Sequence, residues 1–231
     1  MIVLLHGFMD SPRTWDLMRP YLGDEDVLVP ALPGHLGGPP LKGDFDLAAH
    51  VERVMDEAGV QRAHLVGNSL GGYVALVLAT RGRAETVVAL APAGGGDHSA
   101  TLDLQEEGNV PLGKVTTRKL PALTALHLAA ALRGCDRGPL IANAREHGWP
   151  LDTTKVRCPV RVLWGTEDQL LPWPQSAQRY RGAFDAEWIE LDGVGHAPQL
   201  DVPRETAQLI LGFTTARIAS SKGTSSSPFS R

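Results

Sequence analysis

The segment best suited to covalent chemistry is Gly67-Asn68-Ser69-Leu70-Gly71-Gly72, a serine enclosed by glycines. A serine hydroxyl is a poor nucleophile until a base takes its proton, so a histidine must lie within reach. Of the eight histidines, His196 in Gly193-Val194-Gly195-His196-Ala197-Pro198 is best placed, because it follows a strand-like run and its glycines let the ring reach back over a sheet edge. The imidazole in turn needs a carboxylate that fixes its tautomer. Asp168 in Gly165-Thr166-Glu167-Asp168 follows another strand-like run; Glu167 is its nearest competitor and Asp97 a further alternative. Acyl transfer also needs two donors for an oxyanion. The residue after the nucleophile, Leu70, supplies one backbone N–H, and the loop after the first strand, His6-Gly7-Phe8, offers the other at Phe8. His6 itself is expected to pack beneath that loop.

These residues need a scaffold that presents them on one rim. Short runs, most of them apolar throughout, occur at Ile2–Leu5, Val27–Val29, Ala63–Val66, Thr86–Ala91, Val160–Trp164 and Trp188–Leu191. Uninterrupted apolar runs suit strands covered on both faces, as in a parallel sheet. Helical spacing appears between them: Phe45–Ala58 with Asp46 as its cap, Ser69–Arg81 ending at Gly82, and Pro203–Ala216. The reading is an α/β fold with a mostly parallel sheet of about six strands, flanked by helices. From Gly94 to Val156 the alternation stops, and Leu123–Leu132 reads as helix. Residues 95–156 are expected to form a small helical cap on a core made of 1–94 and 157–217, with a disordered tail over 218–231.

Composition narrows the class of function. The 231 residues fit one domain with a small insertion, and a net charge of -4 without a basic cluster argues against nucleic acid as partner. No stretch approaches the roughly 20 apolar residues of a membrane span. The opening Met1-Ile2-Val3-Leu4-Leu5 lacks the form of a signal peptide, so the expected compartment is cytoplasmic. Cys135 and Cys158 form no disulfide framework and read as free thiols. Leu112, Leu120, Leu123, Leu126, Leu128 and Leu132 suggest an apolar pocket under the cap, with Trp15 and Trp149 as further candidates for its lining.

Taken in order, His6-Gly7-Phe8, Pro33-Gly34-His35, Gly67-Asn68-Ser69-Leu70-Gly71-Gly72, Gly165-Thr166-Glu167-Asp168 and Gly195-His196 resemble the α/β-hydrolase superfamily, over roughly Met1 to Ala216. The resemblance implies a serine hydrolase acting on small to medium carboxylic esters, monoacylglycerol-like lipids included, with no metal or organic cofactor. Gly-Asn-Ser-x-Gly-Gly is also similar to carbon–carbon bond hydrolases, and lactonases and thioesterases share the same triad. Dehalogenases and epoxide hydrolases of the superfamily are disfavoured, since they place an aspartate where Ser69 stands. A non-catalytic, receptor-like binding protein is the rival from another class. This chain departs from the superfamily in beginning inside the strand that leads to His-Gly, without the usual preceding hairpin. The sheet is then expected to be reduced, leaving Val27–Val29 as an open edge that could pair with a second copy of the chain.

Overall fold

A computed structural model describes residues 1–94 and 110–222, with side chains as far as 215. Six strands, β1 (Ile2–Leu5), β2 (Val27–Leu28), β3 (Ala63–Asn68), β4 (Ala84–Leu90), β5 (Val160–Gly165) and β6 (Ala186–Leu191), form one sheet in the order β2-β1-β3-β4-β5-β6. Every pairing is parallel. The carboxyl ends of all strands therefore lie along one rim, and every loop that leaves them opens on the same side.

Strand periodicity explains why both faces are apolar. Val3, Leu5, Leu65, Val87, Ala89, Val162 and Trp164 point to one face and pack with helices α1 (Leu47–Glu57) and α2 (Leu70–Thr80). Their neighbours Ile2, Leu4, Val66, Val88, Leu90 and Leu163 point to the other. There they meet Trp15, Met18 and Leu22 and the Ala207, Ile210 and Phe213 stripe of the last helix. A residue step of one changes face, so a strand buried on both sides cannot alternate with polar residues. Helix α1 starts where expected, the Asp46 side chain accepting from the Ala49 N–H at 3.0 Å. Gly82, at φ +78°, follows the last turn of α2 and donates to the Ala79 carbonyl.

The segment between β4 and β5 is helical where it is described. It contains α3 (Leu112–Val115), α4 (Ala122–Arg133) and α5 (Arg137–His147), and α5 had no counterpart among the sequence expectations. A short α6 (Gln175–Gln178) precedes β6, and α7 (Pro198–Asp201) and α8 (Pro203–Lys222) follow it. Helix α8 continues past Ala216 into the stretch expected to be a tail; residues 223–231 lie outside the described ones. Among the described residues, no helix is long and apolar enough to cross a membrane.

Candidate active site

Ser69 sits between the end of β3 and the start of α2 at φ 54°, ψ -116°, a conformation that side chains with a Cβ rarely adopt. The turn is over-determined by its backbone. Ser69 N–H donates to the Leu90 carbonyl at 2.9 Å, while the Ser69 carbonyl accepts from Tyr73 at 3.1 Å and Ala93 at 3.0 Å. Glycine is required on both sides because main chains nearly touch. A Cβ on Gly67 would fall 2.2 Å from the Gly71 carbonyl oxygen, and one on Gly71 would fall 2.1 Å from that of Leu5. Leu70 opens α2, so its N–H belongs to the first turn that has no intrahelical acceptor. The loop carrying Phe8 runs close beside it: a Cβ on Gly7 would stand 3.4 Å from Ser69 Cβ.

Asp168 and His196 come from the neighbouring strand ends, β5 and β6. Asp168 Oδ1 accepts from the Leu170 and Leu171 N–H groups at 2.9 and 2.8 Å, a tight turn that fixes the carboxylate plane. Its Oδ2 lies 2.8 Å from His196 Nδ1. A carboxylate in that position can only accept, so Nδ1 carries the proton and Nε2 keeps its lone pair. Glu167, one residue earlier, is exposed, and Asp97 lies outside the described residues. Gly165 lets the histidine loop fold down over β5, since a Cβ there would strike the Val194 carbonyl oxygen at 2.1 Å. Ser69, His196, Phe8 and Asn68 line one cavity of about 170 Å³.

Several residues that hold this arrangement had no assigned role in the sequence reading. Asn68 donates to the Leu90 carbonyl at 3.1 Å and to the His196 carbonyl at 2.9 Å, tying the serine turn to the histidine loop. Fully buried Gln199 donates to Asn68 Oδ1 and to Thr14 Oγ1, both at 3.1 Å. Asp201 accepts from Gly195 N–H at 2.7 Å, from the Thr117 and Arg118 N–H groups and from the Thr116 and Thr117 hydroxyls. It therefore pins the segment after α3 to the loop that bears His196. Buried polar side chains at strand ends and in an apolar helix stripe were the available signal, because burial without partners is costly.

His6 packs under the Phe8 loop as expected. Its Nε2 accepts from the Leu32 N–H at 3.0 Å and its Nδ1 donates to the Gly7 carbonyl at 2.9 Å. Burial lowers its pKa to about 3, and that of the neighbouring His35 to about 4. Both are neutral props at ordinary pH. Of the leucines expected to form a pocket under a cap, Leu112, Leu128 and Leu132 line the cavity. Leu123 and Leu126 do not; each is 64% exposed on the outer side of α4, because that helix is apolar on more faces than one. Trp15 is buried on the opposite face of the sheet. Trp149 stacks on Tyr73 beside a separate cavity of about 390 Å³. Burial raises both Cys135 and Cys158 to about 11, which keeps them as unreactive thiols. Among the described residues no cluster of histidine, cysteine and acidic side chains could hold a metal ion.

The chain matches the model of the Alpha/beta hydrolase family over residues 2–209. It is 31% identical over 244 residues to a pimeloyl-[acyl-carrier protein] methyl ester esterase of Aromatoleum aromaticum, covering 90% of this chain and 96% of that protein. It is 28% identical over 204 residues to the epoxide hydrolase EphH of Mycobacterium tuberculosis, covering 72% of this chain and 92% of that protein. Among solved structures, a bacterial membrane phospholipase A superposes with a TM-score of 0.79 at 25% identity, covering 94% of this chain and 79% of that one. With its parallel sheet, its serine turn and its acid and histidine on adjacent strand ends, this chain belongs to the alpha/beta hydrolase family and is a hydrolase.

Proposed function

We propose that the protein hydrolyses small to medium carboxylic esters through an acyl-enzyme on Ser69. The observation that carries this is the 2.8 Å contact of His196 Nδ1 with Asp168 Oδ2, on a ring that lines the same cavity as Ser69. His196 Nε2 takes the Ser69 proton, and the alkoxide attacks the ester carbonyl. The N–H groups of Leu70 and Phe8 receive the oxyanion, where donors held in place act without reorganising. His196 then protonates the departing alcohol, and water repeats the sequence on the acyl-enzyme. The cavity walls, Met9, Val110, Leu112, Leu128, Leu132 and Leu170 among them, favour a short apolar acyl chain.

Epoxide opening, the activity named for the mycobacterial relative, is disfavoured by the nucleophile, which is serine where an aspartate is required. Ser69→Ala is expected to lower kcat on 4-nitrophenyl butanoate by about 10⁴-fold or more. A fluorophosphonate is expected to label Ser69 and to leave that variant unlabelled. Turnover of the variant within tenfold of the parent refutes the assignment. Labelling of the parent without measurable turnover on any ester favours the receptor-like alternative.

A further inference from the structure

Among the described residues, the cavity that Ser69 and His196 line is apolar except at one place. Apart from the site's own serine, asparagine and histidine, its described walls are apolar side chains and glycine with one carboxylate, Asp10, and no described lysine or arginine lines it. We infer that Asp10 selects the alcohol portion of the ester, accepting a hydrogen bond from a hydroxyl or ammonium group there and turning away esters whose alcohol carries a carboxylate. The inference rests on the hydrolase reading and adds a substrate class to it: esters of polyols or amino alcohols rather than of simple alkanols.

The hydrogen bonds around Asp10 run in one direction. Both N–H groups of the Gln199 amide are committed, one to Asn68 Oδ1 and one to Thr14 Oγ1. Having accepted there, the Thr14 hydroxyl has its own proton left to donate, and it supports the ionised form of Asp10. Ser11 N–H donates to Asp10 Oδ1 at 2.7 Å. The protein thus supplies two donors to a carboxylate that has about four acceptor positions. The remaining capacity lies on the cavity wall, where the other described donor side chains are Ser69, His196 and Asn68, and the Asn68 amide hydrogens are already committed to the Leu90 and His196 carbonyls. Asp10 is half-buried on the cavity wall, so its spare acceptor positions are open to a ligand donor. Loss of hydration raises its carboxyl to about 6.

The side of the ester follows from what Asp10 is tied to. Thr14, its hydroxyl donor, accepts from the Gln199 amide, which also donates to Asn68, and Asn68 donates to the His196 carbonyl, so the Asp10 turn is joined to the histidine loop. In the proposed reaction His196 delivers its proton to the leaving oxygen, so a carboxylate on that side of the cavity meets the alcohol and not the far end of the acyl chain. An alkanol ester leaves the acceptor unfilled, and an anionic alcohol meets like charge.

The test uses a matched set: propyl butanoate, 2-hydroxyethyl butanoate, which replaces a methyl by a hydroxyl, and the butanoyl ester of glycolate. For the parent enzyme, kcat/KM is expected to favour the hydroxyethyl ester over the propyl ester by about tenfold, with the glycolate ester at least as far below the propyl ester. Asp10→Leu is expected to bring all three within about twofold of one another, and Asp10→Asn to relieve the exclusion of the glycolate ester. A role for Asp10 only in shaping the loop before Thr14 would change the three esters in parallel and overturns the inference. The same ratios are read as Kd by calorimetry of the three esters on Ser69→Ala, where no turnover is needed. A flat Kd series beside normal turnover in the parent overturns the selection by Asp10 and leaves the hydrolase reading intact. Absent turnover with the tenfold Kd difference preserved does the reverse.

Discussion

Asp168→Asn isolates the orienting role of the acid, because the replacement is nearly the same size and its outcome depends on which way the amide turns. One orientation keeps the carbonyl on the Leu170 and Leu171 N–H groups, at the 2.9 and 2.8 Å positions now held by Oδ1, and turns the NH2 toward His196 Nδ1. The other points the NH2 at those two backbone donors and leaves them buried without acceptors, at about 1–3 kcal/mol each. The first orientation therefore wins. It forces the imidazole into the tautomer with the proton on Nε2, which then has no lone pair to receive the Ser69 proton. Loss of the charged acid in such a triad lowers turnover by about 10⁴-fold, equivalent to about 5 kcal/mol of transition-state stabilisation. Since every native hydrogen bond keeps a partner, Tm is expected to stay within a few degrees of the parent. The assay is kcat on 4-nitrophenyl butanoate beside a thermal melt. Glu167→Gln, at an exposed position, is the control and is expected to stay within about twofold. If Asp168→Asn retains turnover within tenfold of the parent, or Glu167→Gln suffers the larger loss, the orientation argument is wrong.

Ser69→Gly abolishes ester turnover but relieves the strained φ of 54°; after the entropy cost of glycine, a net gain of about 1 kcal/mol is expected, read as a small rise in Tm. Asp201→Asn places an NH2 against donors from the Gly195 loop and the segment after α3. A loss of roughly 2–3 kcal/mol and a fall in Tm of roughly 5–10 °C are expected, together with a raised KM because Leu112 and Val115 of the cavity wall hang from that joint. An unchanged KM would show that the joint does not shape the cavity. Stability should also decline in mild acid. His6 and His35 have folded pKa values of about 3 and about 4, below the unfolded 6.5, so below pH 6.5 the unfolded chain binds protons that the fold refuses and stability drops. Asp10, raised to about 6, acts in the opposite sense below that pH. The net of two histidines against one carboxyl is a loss of about 1.4 kcal/mol per pH unit between about 6 and 4. Urea unfolding at pH 6 and pH 4 measures it, and equal stability at the two values would contradict the buried neutral pair.

What was legible in the sequence was whatever depends on neighbours along the chain. The parallel sheet followed from apolar runs such as Ile2–Leu5 and Thr86–Ala91, because a strand buried on both faces leaves no room for alternation. The serine turn followed from its glycines, because main chains that approach to about a Cβ radius exclude every other residue there. The tertiary structure decided what depends on distance across the fold. Only with β5 and β6 side by side does Asp168 rather than Glu167 face His196, a difference of one residue that local sequence expresses weakly. The same holds for the chain of hydrogen bonds from Asn68 through Gln199 to Thr14, whose members lie far apart in the sequence. It holds also for the helical segment between β4 and β5, where α4 is apolar around much of its circumference. Periodicity does not tell Leu128, on the cavity wall, from Leu126, in solvent; the choice was made by which face the rest of the molecule left to be covered.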